Sequence, residues 1–303
     1  MNLLIIGANG QLGSELVLQV KNTGFHPVLA DCYQPDQTES VRVLDITDPA
    51  AIERIFREVQ PNVVINAAAY TQVDRAETEK ELAFAINRDA PGYLARCCNQ
   101  VGIALIHIST DYVFDGKEIR AYTESSPLSP SGIYGQSKAE GEGEVRKHLH
   151  QHLIVRTSWV YGVSGQNFVK TMLRLGKEKS RIGVVADQSG SPTAAADLAA
   201  ALLTLAGQIA LGKPIPWGIY HYCGLGIITW FDFAQKIFEL AHRFGYPHYP
   251  EVFPITTAEY PTPARRPAFS ALDCGLISRC FDIHPIPWQE SLSPVVEQLL
   301  CHL

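Results

Sequence analysis

The chain has 303 residues, 46% of them hydrophobic, which is enough to bury an ample core in one large α/β domain, alone or with a smaller one. Its net charge of −6 argues against nucleic acid or another polyanion as partner, so we expect a small molecule. The chain starts without a basic leader, and its apolar runs are shorter than the ~18 residues of a membrane span, so we expect a cytoplasmic protein outside the membrane.

The first predicted elements are a strand, a glycine-rich turn and a helix. Leu3 to Ile6 form an apolar run, and Gly7, Gly10 and Gly13 follow it at G-x-x-G-x-x-G spacing. The first glycine permits a tight turn, the second lets the backbone approach a pyrophosphate, and the third allows close packing of helix on strand. Because a helix N-terminus attracts phosphate charge, this order of elements predicts nucleotide binding.

An acidic residue ends the second predicted strand. Pro27 to Ala30 form that strand, and Asp31 follows, eighteen residues after Gly13. A carboxylate in this place can bond the 2′-hydroxyl of an adenosine ribose, which favours NAD over NADP. No lysine or arginine follows until Arg42, so a 2′-phosphate would lack a nearby partner in sequence. The alternative is an ordinary surface carboxylate.

The third predicted strand leads into a capped helix. Val41 to Leu44 form the strand, and Asp48 with Pro49 predicts the N-cap and first position of the next helix. Asp45 and Ile46 lie between them, at a strand's carboxyl end, where they could bond and flank an adenine.

Small residues follow the fourth predicted strand. Val63 to Ile65 form this strand, and Ala69, Tyr70 and Thr71 close a run of alanines where a cofactor could lie against the backbone. In the helical region that comes next, we expect Pro91 to split the helix.

The centre of the chain carries the candidate catalytic groups. Ala104 to Ile108 read as a buried strand, so Thr110 falls just past its carboxyl end, where open α/β sheets bind ligands. Tyr134 and Lys138 are four residues apart on a predicted helix and share one face, about 6 Å apart along its axis. A free phenol has a pKa of about 10, and a nearby cation lowers it, so we expect Lys138 to acidify Tyr134. The alternative is a helix tyrosine with an unrelated surface lysine.

The second half of the chain is less regular. His152 to Arg156 predict a further strand, and Trp159 just beyond it could cover a sugar ring or simply fill the core. Arg265 and Arg266 lie between prolines, in a loop that could neutralise a diphosphate or form a solvated surface pair. We expect a Rossmann-type, doubly wound parallel α/β sheet over residues 1–160, to which residues 182–215 return, and a smaller substrate-binding part over 161–303.

Taken together, these motifs resemble the dTDP-4-dehydrorhamnose reductase family of the extended short-chain dehydrogenase/reductase superfamily. The match runs nearly end to end. The motifs that carry it are the glycine turn, Asn66-Ala67-Ala68-Ala69-Tyr70-Thr71, Ser109-Thr110-Asp111-Tyr112-Val113-Phe114, Tyr134-Gly135-x-Ser137-Lys138, Ser158-Trp159-Val160-Tyr161 and Thr262-Pro263-Ala264-x-Arg266-Pro267.

The resemblance implies an NADH- or NADPH-dependent enzyme that reduces the C4 ketone of dTDP-4-dehydro-β-L-rhamnose, a nucleotide sugar used for cell-surface polysaccharide. It implies a catalytic set of Thr110, Tyr134 and Lys138. It places the substrate sugar against Thr110, Asp111, Tyr134 and Trp159. The residues that would line the cofactor are Gly7, Gly10, Gln11, Leu12, Gly13, Asp31, Asp45, Ile46, Ala69, Tyr70, Thr71, Ile108, Tyr134 and Lys138.

One departure concerns a metal. Some family members bind magnesium through a carboxylate cluster at a dimer interface. Here Glu15 is present, but the aligned partner positions hold Ala196 and Gln289. The sequence therefore argues against a metal-bridged dimer, and we expect no metal and a monomer or weak homodimer. The cysteines, which lack Cys-x-x-Cys spacing, also predict no zinc site.

Two other functions remain open from the sequence. A nucleotide-sugar epimerase or dehydratase would share the fold but retain its cofactor through each cycle. A catalytically silent regulatory subunit would share the fold without turnover, although the intact Thr110, Tyr134 and Lys138 argue against it.

Overall fold

The structure is a computed structural model that describes residues 1–34 and 41–301. Its strands follow the apolar runs of the sequence. They are β1 (Asn2–Ile6), β2 (His26–Asp31), β3 (Val41–Val43), β4 (Val63–Asn66), β5 (Ala104–Thr110), β6 (His152–Thr157), β7 (Val160–Tyr161), β8 (Arg181–Val185), β9 (Ser189–Gly190), β10 (Thr193–Ala194), β11 (Gly218–His221), β12 (Ile228–Thr229) and β13 (Glu251–Ile255).

The α-helices lie mainly between these strands. They are α1 (Gln11–Val20), α2 (Pro49–Val59), α3 (Val73–Ala76), α4 (Lys80–Phe84), α5 (Ala90–Val101), α6 (Ile133–His148), α7 (Phe168–Glu178), α8 (Ala195–Ala210), α9 (Trp230–Arg243), α10 (Gly275–Phe281) and α11 (Trp288–Cys301). Among the described residues, none of the helices combines the length and the apolar character that crossing a bilayer requires.

The main sheet has the predicted doubly wound order. Within the described ranges it contains seven strands in the order β11-β6-β5-β4-β1-β2-β3, and all neighbours are parallel. The chain moves outward from β1 in one direction through β2 and β3, and in the other through β4 to β6. The order therefore reverses between β1 and β4, and this reversal opens a crevice at the carboxyl edge of the sheet.

Helices cover both faces of this sheet. On one face, α1 and α8 pack against the strands through residues such as Leu16 and Leu202. On the other face, α2, α5 and α6 contribute Ile52, Leu94 and Val145. Because both faces are buried, the central strands are apolar throughout, which is why they appeared in the sequence as continuous hydrophobic runs.

The start of α2 confirms a sequence prediction. The Asp48 carboxylate accepts a hydrogen bond from the Ala50 N–H at 2.9 Å, and Pro49 occupies the first turn. The cap satisfies a donor that the first helical turn leaves free, and it fixes where the chain turns after β3.

Pro91 does not split its helical region as expected. The chain continues from α4 through a π-helical segment, Ala85–Asp89, directly into α5. A proline clashes with the carbonyl four residues before it, here that of Asn87, and the wider π turn accommodates this carbonyl. The same carbonyl lies against Gly141 of α6, where an added Cβ would come within 2.0 Å of it.

The C-terminal half builds a second core. Phe233, Phe238 and Leu292 pack there between α7, α9 and α11. Within the segment 182–215, which was predicted to return to the dinucleotide-binding domain, β8 pairs with β13 in a separate two-stranded sheet. The later helix α8 packs on α1, and β11 then pairs with β6 at the edge of the main sheet.

Candidate active site

The glycine turn connects β1 to α1 at the sheet's point of reversal. Gly7 has a φ of +82°, and an added Cβ there would lie 2.6 Å from the Ala68 nitrogen. A Cβ at Gly13 would lie 1.9 Å from the Gly7 oxygen, so strand and helix touch through backbone. Gly10 is exposed, and a Cβ there would meet only the Gly7 oxygen at 3.2 Å. The turn thus presents bare backbone and a helix N-terminus, which fits a pyrophosphate.

Residues beside this turn are held by hydrogen bonds. The Gln11 side chain donates to the Val160 carbonyl at 2.9 Å and accepts from Asn167 at 2.8 Å, so it joins α1 to the start of α7. Leu12 is buried in the core under the turn. Gln11 and Leu12 were both predicted to line the cofactor, and of these two only Gln11 is partly exposed.

Asp31 ends β2 as predicted, but it is buried and already engaged. Its Oδ2 accepts from the Asn9 N–H at 2.9 Å, and Oδ1 accepts from the Cys32 thiol at 3.4 Å. The carboxylate therefore braces the glycine turn. Arg42, the next cation along the chain, pairs with Glu58 at 2.8 Å.

The predicted adenine residues differ in exposure. Ile46 is buried in the core, whereas Asp45 is exposed and accepts two hydrogen bonds from Thr47, at 2.7 and 2.8 Å. Asp45 is therefore fixed locally after β3, whereas the Ile46 side chain packs in the core.

The loop after β4 lies opposite the glycine turn. Ala69 is partly exposed and Thr71 is exposed, whereas the Tyr70 ring is buried and its hydroxyl donates to Glu79 at 2.7 Å. The Tyr70 main chain is held by Asn87, whose Oδ1 accepts from the Tyr70 N–H and whose Nδ2 donates to the Tyr70 oxygen. The loop thus offers backbone, not the tyrosine ring, to the crevice.

Tyr134 and Lys138 both lie on α6, as the spacing predicted. Lys138 is almost fully buried, and its ammonium donates to the Ile108 carbonyl of β5 at 2.6 Å. The Tyr134 ring is partly exposed and meets the Tyr112 ring edge-on, with centroids 5.5 Å apart. Helix α6 approaches β5 closely because Gly135 contacts the Tyr112 carbonyl, where an added Cβ would lie 2.1 Å away.

The expected acidification of Tyr134 by Lys138 is absent from the structure. Burial raises the pKa of Tyr134 to about 12, and the nearby Thr110 side chain opposes this shift. Burial also lowers the pKa of Lys138 to about 8, against a weaker opposing effect of Glu142. Removal from water disfavours the charged form of each group, and the four-residue spacing of the two side chains gives no sign of this cost.

The end of β5 supplies two further polar groups. Thr110 donates to the Asp111 Oδ1 at 2.9 Å, and both residues are buried. The Asp111 Oδ2 has no hydrogen-bond partner among the described residues. Burial raises the pKa of Asp111 to about 6, against weaker opposing effects of the Ser270 and Thr110 side chains. A buried carboxylate oxygen without a partner at a sheet's carboxyl edge indicates a ligand that donates to it.

A buried ion pair joins α6 to the central sheet. Arg156 of β6 binds Glu142 of α6 with two hydrogen bonds, of 2.9 and 2.6 Å, and Ser109 donates to the same carboxylate at 2.5 Å. The His221 ring lies 3.3 Å from the Arg156 guanidinium. Because α6 carries Tyr134 and Lys138, this pair fixes their helix against the two central strands.

Trp159 is partly core and partly open. Its indole stacks on Trp230 with centroids 3.4 Å apart and an angle of 6° between the planes. Gly190 lies against the same indole, since a Cβ there would come within 2.6 Å of it. Trp159 also has a φ of +48°, which is unusual for a non-glycine residue. Only the part of the ring outside these contacts is open to a ligand.

The two adjacent arginines have different surroundings. Arg266 forms an ion pair with Asp74 at 2.9 Å, and the same carboxylate accepts from the Ala264 N–H. Arg265 is exposed. Both line a cavity of about 530 Å³, together with Lys117 and the loop residues Asp115, Gly116, Asp187, Thr257, Pro261, Thr262, Pro263, Ala264 and Ala268.

The structure gives no metal site in the part of the chain that it describes. No group of three or more His, Cys, Asp or Glu side chains lies there in an arrangement that could hold an ion. Glu15 lies near Asp197, and burial together with this second carboxylate raises the pKa of Glu15. The Ala196 carbonyl accepts from Gln19.

The sequence did not single out several residues that form this site. Asn87 is an ordinary helix asparagine in sequence, and only its place in the π segment brings it to Tyr70 and Ser137. Trp230 lies 71 positions after Trp159, so only the tertiary fold could reveal the stack. Glu142, four residues after Lys138 on the same helix face, was the one partner that spacing could have indicated.

Known proteins match this chain over nearly its whole length. A family described as the RmlD substrate binding domain matches residues 1–301. The dTDP-4-dehydrorhamnose reductase of Aggregatibacter actinomycetemcomitans is 44% identical over 294 residues, which are 97% of each chain.

Two solved structures have the same fold. The dTDP-4-dehydrorhamnose reductase of Clostridium acetobutylicum superimposes with a TM-score of 0.90 at 39% identity, over 99% of this chain and 100% of that one. The Bacillus anthracis dTDP-4-dehydrorhamnose reductase, solved in complex with NADP, gives a TM-score of 0.86 at 38% identity, over 98% and 99%. With its Rossmann-type sheet and these full-length matches, the chain belongs to the dTDP-4-dehydrorhamnose reductase family.

Proposed function

We propose that this protein reduces the C4 ketone of dTDP-4-dehydro-β-L-rhamnose to give dTDP-β-L-rhamnose, with NADPH or NADH as reductant. The observation that carries the proposal is the placement of Tyr134 and Lys138 on one helix, beside Thr110 at the carboxyl edge of the sheet. Family membership supplies the substrate class, because the full-length relatives carry this activity in their names.

The cofactor would lie across the sheet's point of reversal. Gly7, Gly10 and Gly13, with Gln11 and Leu12, would hold the pyrophosphate, and Asp31 the adenosine ribose. Asp45 and Ile46 would flank the adenine, and the backbone of Ala69, Tyr70 and Thr71 would face the opposite side. Ile108 would lie beneath the nicotinamide. Asp31 favours NADH, whereas the Bacillus anthracis relative was solved with NADP, so the proposal keeps both.

When bound, the reduced nicotinamide supplies a hydride to C4 of the sugar. Tyr134 then donates its phenolic proton to the oxygen that becomes an alkoxide. A pKa of about 12 keeps this phenol protonated at neutral pH, as a proton donor must be. Thr110, which contacts Tyr134, would hold the ketone oxygen in line with that proton.

Lys138 would bind the nicotinamide ribose. Its ammonium has three donors, and one is used by the Ile108 carbonyl, which leaves the others for ribose hydroxyls. A bound dinucleotide would also exclude water from the pair, and the charge of Lys138 would then favour the phenolate left after proton transfer. The acidifying effect that the sequence predicted therefore belongs, in this proposal, to the loaded enzyme.

The sugar would be held by residues outside the nucleotide crevice. The unpartnered Asp111 Oδ2 would accept from a sugar hydroxyl, and the open part of Trp159 would cover the ring. Of the two arginines, Arg265 is the candidate for the diphosphate, because Asp74 already neutralises Arg266.

The proposal includes the division of the chain and its assembly. Residues 1–160, with α8 and β11, would bind the dinucleotide, and most of the remainder would bind the sugar nucleotide. A monomer or weak homodimer without a bridging metal, and a cytoplasmic location, stay predictions from the sequence.

The direct test is a product assay. The purified protein is incubated with dTDP-4-dehydro-β-L-rhamnose and with NADPH or NADH in turn, while the nicotinamide absorbance is followed and the product is identified by NMR. Stoichiometric loss of reduced cofactor with formation of dTDP-β-L-rhamnose supports the proposal. Sugar conversion without net cofactor oxidation would indicate an epimerase or dehydratase, and no conversion with intact folding would indicate a silent subunit.

A further inference from the structure

Thr157, the last residue of β6, has a buried hydroxyl that forms no hydrogen bond with the described residues. The residue is only 6% exposed, and its Oγ1 has no hydrogen-bond partner among the described residues. Buried hydroxyls in folded proteins are almost always paired, because an unpaired one loses its hydrogen bonds to water without replacement. The neighbouring Ser158 is paired in this way, since its hydroxyl donates to the Ser191 carbonyl at 2.8 Å. The Thr157 hydroxyl therefore indicates a partner that comes from outside the chain.

The register of the sheet places this hydroxyl beside the catalytic groups. Thr157 pairs with Thr110 across β5 and β6, and Val155 pairs with Ile108 two residues earlier. Side chains two residues apart, and side chains of paired residues, lie on the same face of a parallel sheet. Ile108 and Val155 therefore form an apolar cross-strand pair, and Thr110 and Thr157 form a hydroxyl-bearing pair about 7 Å further toward the carboxyl edge.

The hydroxyls of Thr110 and Thr157 differ in their hydrogen-bond partners within the protein. Thr110 donates to Asp111 and contacts Tyr134, so it belongs with the group that handles the sugar ketone. Thr157 lies one strand away, about 5 Å to the side, over the continuation of the same apolar surface. A flat apolar ring resting on Ile108 would reach Thr157 with a polar substituent at its edge.

We propose that the Thr157 hydroxyl is a cofactor-binding group that forms a hydrogen bond with the carboxamide of the nicotinamide ring. The carboxamide is the only hydrogen-bonding substituent of that ring, and its position decides which ring face meets the substrate. Thr157 would thus be a positioning residue for hydride transfer. The inference rests on the proposed function, because it assumes that Ile108 lies under the nicotinamide.

Binding measurements on matched ligands test the inference without relying on turnover. Thr157→Val replaces the hydroxyl with a methyl group of nearly the same size, and Ser158→Ala removes the adjacent, paired hydroxyl as a control. For each protein, calorimetry gives the Kd of the dinucleotide that the wild type prefers. It also gives the Kd of the same molecule without the ring, either ADP-ribose or 2′-phospho-ADP-ribose. Thermal unfolding of the free proteins gives Tm.

We expect Thr157→Val to raise the Kd of the whole dinucleotide about 3- to 10-fold and to leave the Kd of the ring-less ligand unchanged. Its Tm should not fall, because no hydrogen bond within the protein is lost. Ser158→Ala should lower Tm and leave the difference between the two ligands intact.

Two results would overturn the inference. They are an unchanged dinucleotide Kd in Thr157→Val and an equal loss of affinity for both ligands. Each of these results requires a wild-type protein that binds the dinucleotide, so neither would contradict the proposed function. A wild type that binds neither dinucleotide would instead overturn the proposed function together with this inference.

Discussion

The Asn87 side chain holds both main-chain groups of Tyr70, with hydrogen bonds of 2.9 Å from the Tyr70 N–H and 3.0 Å to its carbonyl oxygen. Its amide also donates to the Ser137 hydroxyl at 3.1 Å, and Ser137 in turn donates to the Tyr134 carbonyl at 2.8 Å. A single buried amide therefore joins the loop after β4 to the helix that carries Tyr134, the proposed proton donor.

Asn87→Ala should destabilise the protein and disorganise the site. It leaves the buried N–H and carbonyl of Tyr70 unpaired, so we expect the free energy of unfolding to fall by about 2–4 kcal/mol. Denaturant unfolding measures this loss. Asn99→Ala, at an exposed position of α5, is the matched control and should change stability by less than about 0.5 kcal/mol. Equal stabilities of the two variants would contradict the role of Asn87.

Lys138 should make stability depend on pH in a definite direction. Its pKa is about 8 in the fold, against 10.5 for an unperturbed lysine, so the unfolded chain binds more protons between these values. The free energy of unfolding should then rise with pH across this window, by on the order of 1–3 kcal/mol. Below the window Lys138 is charged in both the folded and the unfolded state, so the fold bears the whole cost of burying that charge. Lys138→Met has no proton to lose.

Unfolding of the wild type and Lys138→Met at pH 7 and pH 10 measures this effect. The wild type should gain stability relative to the variant as the pH rises. Lys147→Met, on the exposed surface of the same helix, is the control. A wild type that gains no stability relative to Lys138→Met between pH 7 and pH 10 would show that the lysine is not buried as described.

Asp111 should give the reaction an acid limb near pH 6. Its pKa of about 6 means that the carboxylate becomes protonated as the pH falls through this value, and it then loses its capacity to accept from a sugar hydroxyl as an anion. We expect kcat/KM for the keto sugar to fall below about pH 6 in the wild type. Asp111→Asn should have a lower kcat/KM and lack this limb. An identical acid limb in both proteins would assign it to another group.

The stack of Trp159 on Trp230 should be needed for sugar binding. Trp230→Leu removes the ring that stacks on the Trp159 indole. Because an aromatic pair contributes about 0.5–1.5 kcal/mol, we expect KM for the sugar to rise about 2- to 10-fold. The Kd of the dinucleotide should not change. Trp217→Leu, outside this stack, is the control, and an equal effect of both substitutions would contradict the account.

Local rules predicted much of the nucleotide half from sequence. The glycine spacing, the Asp48 cap and the apolar runs each depend on residues close together in the chain, and the structure has these elements where they were expected. The common face of Tyr134 and Lys138 also follows from helix geometry alone.

Features that depend on tertiary packing were not predictable in this way. The sequence could not show that burial would raise the pKa of Tyr134, because burial is a property of the whole fold. The pairing of β8 with β13 joins segments 70 residues apart, and the short strand gives no local sign of its partner. The orphan hydroxyl of Thr157 is likewise visible only when all its neighbours are in place.

The account depends most directly on Tyr134 as the proton donor. The decisive measurement is the turnover of Tyr134→Phe with dTDP-4-dehydro-β-L-rhamnose and reduced cofactor, alongside its cofactor Kd. Since a positioned acid contributes about 10²–10⁴-fold, we expect turnover to fall at least about a hundredfold while cofactor affinity remains. Turnover close to that of the wild type, in a variant that still binds cofactor, would contradict the central claim.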